Sequence, residues 1–189
     1  MDANLMERMF SNEDSWANLP TAPEQLSEET KERMKEIIEQ MSRINPMEAD
    51  MIELHILKGV PQSALGKIFH YTQPNIHYRV NRAIDRIKVL IKVPILKEEY
   101  LYSELGRYFS DEKDVKVMVL LYLYSSQSHA ARMIGESQGK VRYRFLRCLD
   151  SLKHIESLAE IYSALFTISE NLTLLRKNDE LIEVKRTIL

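Results

Sequence analysis

The stretch TQPNIHYRVNRAIDRIK, beginning at Thr72, returns as SQGKVRYRFLRCLDSLK at Ser137, sixty-five residues further along a chain of 189. Gln62/Gln127, Ser63/Ser128, Gln73/Gln138, Tyr78/Tyr143, Arg79/Arg144, Arg82/Arg147, Asp85/Asp150 and Lys88/Lys153 are identical. Most of the remaining differences are mild, among them Thr72/Ser137, Ile76/Val141 and Ile84/Leu149. An apolar face and a basic face are therefore kept together, and a fixed internal period of this kind predicts one small unit built twice.

Net charge hides this arrangement. The chain sums to −2, but residues 1–50 carry 5 basic against 12 acidic side chains. Residues 62–92 hold Lys67, Arg79, Arg82, Arg86, Lys88 and Lys92 against Asp85 alone. Residues 127–155 hold Arg132, Lys140, Arg142, Arg144, Arg147 and Lys153 against Glu136 and Asp150. Such asymmetry carries information that the neutral total does not. The repeats are basic and the front end is acidic.

Helical spacing dominates the chain, and with only 5 Gly and 6 Pro nothing reads as a strand. The expectation is an all-α fold of two tandem tri-helical modules. Residues 1–26, interrupted by Pro20 and Pro23, read as an acidic flexible arm. A leading helix capped by Ser27 and the first module occupy 27–94. Within it, Asn45 caps a helix from Pro46, Glu48 reaches back toward that cap, and Gly59 stops the helix. A short helix at about 62–69 and a turn at His70 and Tyr71 then lead to a longer helix capped by Thr72. Residues 95–110 read as a connecting helix, with Leu101, Leu105 and Tyr108 on one side. The second module spans 111–155: Ser110 caps its first helix, a turn falls at Gly135, and Ser137 caps the last. Residues 156–189 read as an amphipathic helical extension.

No apolar run approaches the ~20 residues that a membrane span needs. The polar, acidic N-terminus is unlike a signal peptide. The single Cys148, on an apolar helix position, excludes an internal disulfide and fits a reducing compartment. The five histidines lack ligand spacing, so neither metal nor cofactor is expected. Without a phosphate-gripping glycine loop or a nucleophile elbow, the chain does not read as an enzyme.

Two helices joined by a tight turn, the second basic and N-capped, form the pattern of a helix-turn-helix. Its second helix places polar side chains at base edges and Lys or Arg at phosphates. The candidate DNA-binding residues are Gln73, Asn75, His77, Tyr78, Arg79, Arg82 and Arg86 in the first copy. In the second they are Gln138, Lys140, Arg142, Tyr143, Arg144 and Arg147. Gln and Asn can pair bidentately with adenine, and Arg or Lys with guanine.

The wording goes further. GVPQSALGKIFHYTQPNIHYRVNRAIDRIKVL resembles the fourth region of bacterial sigma factors, and SQSHAARMIGESQGKVRYRFLRCLDSLK resembles it again. Both have a Gln after the preceding turn and a small residue (Gly66, Ala131) where two helices cross. A Thr or Ser cap and the run Ile/Val-x-Tyr-Arg-x-x-Arg-x-Ile/Leu-Asp complete the likeness. The resemblance covers about residues 46–92 and 111–155. It implies double-stranded promoter-like DNA and RNA polymerase as partners, in the cytoplasm of a bacterial or phage-infected cell or its nucleoid, as a sigma-like or accessory transcription regulator. Two departures stand out: Pro61 replaces the better cap Ser126, and His70 holds the turn position of Gly135, where left-handed backbone suits glycine. No counterpart of the promoter-melting region is present.

Bland readings compete. Tyr78/Tyr143 can cover a helix junction, and Arg79/Arg144 can pair with an acid on the first helix. A protein-interaction adaptor with degenerate modules, or a small terminase-type DNA-packaging subunit, are the alternative functions.

Overall fold

In the computed structural model, residues 27–176 are described; the acidic arm expected at 1–26 and the last part of the C-terminal extension lie outside them. The described residues are all-helical, and they divide into two units, 27–92 and 93–176.

In the first unit, α1 (Glu28–Ile44) begins at Ser27, whose side chain accepts from the Thr30 N–H at 3.2 Å, with Glu28 and Glu29 in the first turn. Both devices satisfy the unpaired N–H groups and the positive end of a helix. Met34, Ile37, Ile38 and Met41 form the buried stripe that their spacing predicts. α2 (Pro46–Ile52) starts at Asn45, whose side chain accepts from the Glu48 N–H at 3.4 Å. It runs on through a π-helical turn, Glu53–Leu57, before Gly59 turns out at φ 66°. α3 (Gln62–Phe69) and α4 (Gln73–Leu90) follow, and α4 packs on α1, α2 and α3. Ile76, Val80, Ala83, Ile84, Ile87 and Leu90 of α4 are all buried. Each Ile, Val or Leu among them contributes about 1.5–3 kcal/mol by leaving water.

In the second unit, α5 (Glu98–Tyr108) packs on α6 (Glu112–Tyr124) through Leu101 and Leu105. The Tyr122 hydroxyl donates to the Pro94 carbonyl at 2.9 Å and accepts from the Leu96 N–H at 2.7 Å, which ties down the chain ahead of α5. Tyr108, expected beside those leucines, is exposed and bonds Ser157 at 2.8 Å. α7 (Gln127–Ile134) and α8 (Gln138–Leu152) repeat the short-helix, turn, long-helix plan. A 3-10 turn (Glu156–Leu158), α9 (Ala159–Glu170) and the single turn α10 (Leu172–Leu175) complete it. α9 packs on α6 and α8, burying Ile161, Ala164, Leu165 and Ile168.

Two expected caps are corrected. Asp111, not Ser110, caps α6, its side chain accepting from the Lys113 N–H at 2.9 Å; a carboxylate one residue later suits the helix dipole better than a hydroxyl. Glu48 does not reach back to Asn45, because its carboxylate is turned inward to Arg86. The expected contrast between Pro61 and Ser126 is present: Pro61 offers no side-chain cap, whereas Ser126 accepts from the His129 N–H at 3.2 Å.

The repeated turn is the same in both copies. His70 sits at φ 57°, ψ 37° and Gly135 at φ 68°, ψ 37°. The next N–H bonds back identically, Tyr71 to the Gly66 carbonyl and Glu136 to the Ala131 carbonyl, each at 3.0 Å. A Cβ on Gly66 would stand 3.1 Å from the Tyr71 carbonyl oxygen, so a small residue is required at this crossing.

One difference was invisible at a constant offset of sixty-five. From the Asn45 cap to the Pro61 cap is one residue longer than from Asp111 to Ser126. The first unit absorbs the extra residue in its π-helical turn, where the Lys58 N–H bonds back to Glu53 at 3.2 Å. Aligned on their caps, Glu48 matches Asp114, and each is a buried acid in the first turn of its helix.

Candidate nucleic-acid interface

The long helices α4 and α8 carry every candidate residue, and the two copies sort them differently. In α4 the extended backbone at Thr72 (φ −66°, ψ 154°) opens the helix without a side-chain cap bond. Gln73 and Asn75 stand exposed in the first turn. His77 is also exposed, its Nδ1 3.4 Å from Gln62 Oε1 and its Nε2 3.1 Å from Asn81 Nδ2. That pairing orients the ring from the start of α3, a job for Gln62 consistent with its expected place at the helix start. Tyr78 is 62% exposed and accepts from Arg82 at 3.3 Å. The Arg79 guanidinium lies 4.6 Å over the Tyr71 ring, a cation–π contact.

Arg86 corrects an expectation. Its place in a basic helix predicts an outward contact, yet it is fully buried and donates to Glu48. The helix periodicity puts it beside Ile87 and Ala83 on the inner side, and an inner arginine survives only with a carboxylate opposite. Burial pushes the Glu48 carboxyl above its ordinary value, against the pull of Arg86. The pair anchors α4 to α2.

In α8, Ser137 caps through its side chain, accepting from the Lys140 N–H at 3.3 Å. Gln138, Lys140, Arg142 and Tyr143 are exposed, Tyr143 at 66%. Arg144 is not available as a phosphate grip. Its guanidinium donates to Glu136 at 3.0 and 3.3 Å, to Asp111 at 2.7 Å and to Asp114 at 2.7 Å. Those bonds, with Glu136 first, raise its already high pKa further. Hydrogen bonding to Arg144 in turn holds Glu136 and Asp111 below their ordinary values. Lys113 adds a bond to Glu136 at 3.0 Å. Arg147 shares Asp114 and lies 5.9 Å over the Tyr143 ring, with half of its side chain still exposed. The bland reading of Arg144, an arginine paired with an acid on the first helix, is the one its contacts match.

The two arginine sites are variations on one plan. Residues 71 and 136 occupy the same turn position, and each receives the equivalent arginine, on a tyrosine ring in one unit and on a carboxylate in the other. Cys148 is buried on the inner side of α8, and burial pushes its thiol up to about 11, so it is an inert packing residue.

What remains at the surface is Gln73, Asn75, His77 and Tyr78 at the start of α4 and a cationic set on α8 (Lys140, Arg142, part of Arg147). Reading along the chain missed Glu48, Asp111, Asp114 and Glu136 as the partners that subtract arginines from this face. The signal for the first three is an acid at or three residues after a helix cap. Among the described residues no helix is long and apolar enough to cross a membrane. No protein-family model matches the chain, and neither a curated protein nor a solved structure does.

Proposed function

We propose that the protein is a sequence-specific double-stranded-DNA-binding transcription factor that works with RNA polymerase as a sigma-like or accessory regulator. The carrying observation is the exposed first turn of each long helix, Gln73, Asn75 and His77 in one and Gln138, Lys140 and Arg142 in the other. In each unit a buried acid, Glu48 of α2 or Asp114 of α6, fixes the long helix from below. A reading helix needs this combination: donors and acceptors free at its N-terminal end and a rigid support that sets their position. On this reading the first unit supplies base-edge contacts and the second supplies phosphate contacts. The resemblance to the promoter-reading region of sigma factors supports RNA polymerase as the partner.

One observation favours the adaptor alternative. Ile68 and Met133 hold equivalent positions and are 51% and 64% exposed, and the equivalent Tyr78 and Tyr143 are exposed too. Enrichment of a random duplex library on the full chain separates the two. A DNA reader returns a short motif whose affinity falls with salt, and native-host polymerase subunits co-purify. An adaptor enriches no motif and captures protein whether or not DNA is present.

A further inference from the structure

We infer that the groove between α8 and the end of α9 is a docking surface for this chain's own residues 177–189. The groove is walled by Arg142 and Leu146 of α8, Ser169 of α9, and Leu172 and Thr173 of α10. Two of these positions differ in kind from the first unit. Leu146, 47% exposed, stands where the first unit has Asn81, and Arg142 stands where it has His77. Asn81 and His77 are polar and satisfy each other at 3.1 Å. Their counterparts do not. The long ion pairs of α8 go to Arg144 and Arg147, and Arg142 has none among the described residues.

Phe166 extends the apolar part of this surface. It is 44% exposed, stacks on Tyr162 with ring centroids 5.7 Å apart, and lies one helical turn before Ser169 on the same side of α9. Apolar side chains joined to an unpaired cation suit a segment that offers an apolar stripe together with acids.

The chain brings such a segment to the rim. Arg176, the last described residue, belongs to the wall, so residue 177 starts at the groove. The thirteen residues that follow, KNDELIEVKRTIL, place Leu181, Val184 and Ile188 at helical spacing, with Ile182 and Leu189 beside them. Asp179, Glu180 and Glu183 lie three to seven residues past Arg176. Even fully extended, at about 3.3 Å per residue, the chain holds them within about 10–23 Å of it. No Asp or Glu lines the groove among the described residues, so acids arriving there meet Arg142 unopposed. Tether, apolar pattern and charge agree on one occupant. The consequence rests on the DNA reading: a docked segment covers Arg142, and a duplex must displace it.

Cysteine pairs in the full chain test the docking without DNA. The native Cys148 is buried and inert, so the introduced thiols report alone. Leu146→Cys with Ile182→Cys should form an intramolecular disulfide under mild oxidation, read by mass spectrometry. It should form much faster than the pair Met133→Cys with Ile182→Cys, since Met133 is exposed but outside the groove. Arg142→Ala and the triple substitution Asp179→Asn/Glu180→Gln/Glu183→Gln should each slow the first pair several-fold. Equal rates for the two pairs, or a rate indifferent to these substitutions, overturns the docking. Duplex affinity tests the consequence. The triple substitution should raise it several-fold, and more at low salt than at high salt, because screened charges are removed. A matched loss of three exposed acids outside the groove, Asp150→Asn/Glu156→Gln/Glu160→Gln, should raise it less. An equal rise in both overturns the competition. If no variant binds duplex, the DNA reading falls while the disulfide rates still decide the docking.

Discussion

The two units solve one problem with different chemistry. Each must fix a long helix by its arginines without spending the residues that face outward. The first unit buries a single Arg86–Glu48 pair completely and rests Arg79 on a tyrosine ring. The second distributes Arg144 and Arg147 over Asp111, Asp114 and Glu136 at the partly wet edge of α8. A buried pair is nearly neutral while intact and costly when broken, whereas a partly exposed network loses little with each bond. The first unit should therefore fail sharply under substitution and the second gradually.

The largest effect is expected at Arg86. Arg86→Ala leaves Glu48 buried and unpaired, and should cost about 3–5 kcal/mol in the first unit. Urea denaturation followed by circular dichroism measures it. A stable Arg86→Ala protein that has lost only DNA affinity would contradict the anchoring role. Asp114→Asn in the second unit should cost less, about 1–3 kcal/mol, as Arg144 keeps Asp111 and Glu136. A loss as large as that of Arg86→Ala would erase the distinction between the units.

Acid should separate them in sign. Asp111 and Glu136 are held below their ordinary values by Arg144, so their contribution is present above those values and fades as pH falls through the folded-state values. Glu48 is shifted upward by burial, so its contribution is full at low pH and is lost as pH rises through its folded-state value. Hydrogen exchange from pH 6 down to pH 3, corrected for intrinsic rates, should show protection in α8 falling more than in α4. Equal losses in both helices would show that these carboxylates do not set the acid response.

The smallest effects belong to the shared turn. Gly135→Ala places a Cβ at φ 68° in open space and should cost about 1 kcal/mol from backbone strain alone. His70→Gly relieves the same strain at φ 57° and should stabilise by up to about 1 kcal/mol. The same sign for both substitutions in thermal unfolding would mean that something other than backbone geometry governs this turn.

Much of this was legible because helices advertise their ends and faces locally. Ser27, Asn45, Gly59, Gly135 and Ser137 all act where their side chains or backbones suggest, and the apolar stripe of α4 was readable position by position. What escaped depends on distant partners. Arg86 looks like one more cation in a basic helix until Glu48, thirty-eight positions away, is placed opposite it. A constant-offset comparison sets Glu48 against Lys113, which hides its true counterpart Asp114 behind a single inserted residue. Arg144 reads as one more outward cation for a related reason, since Glu136 is local but Asp111 and Asp114 lie some thirty positions away.

The central claim is that Lys140 and Arg142 meet DNA while Arg144 holds the helix. Fluorescence anisotropy of a labelled duplex across a salt series tests it most directly, comparing the full chain with the folded Lys140→Ala/Arg142→Ala variant. Each phosphate contact contributes about 0.9 to the slope of log affinity against log salt, so the double substitution should lower that slope by about two and weaken binding to all sequences alike. A folded variant with unchanged affinity and unchanged slope would contradict the account.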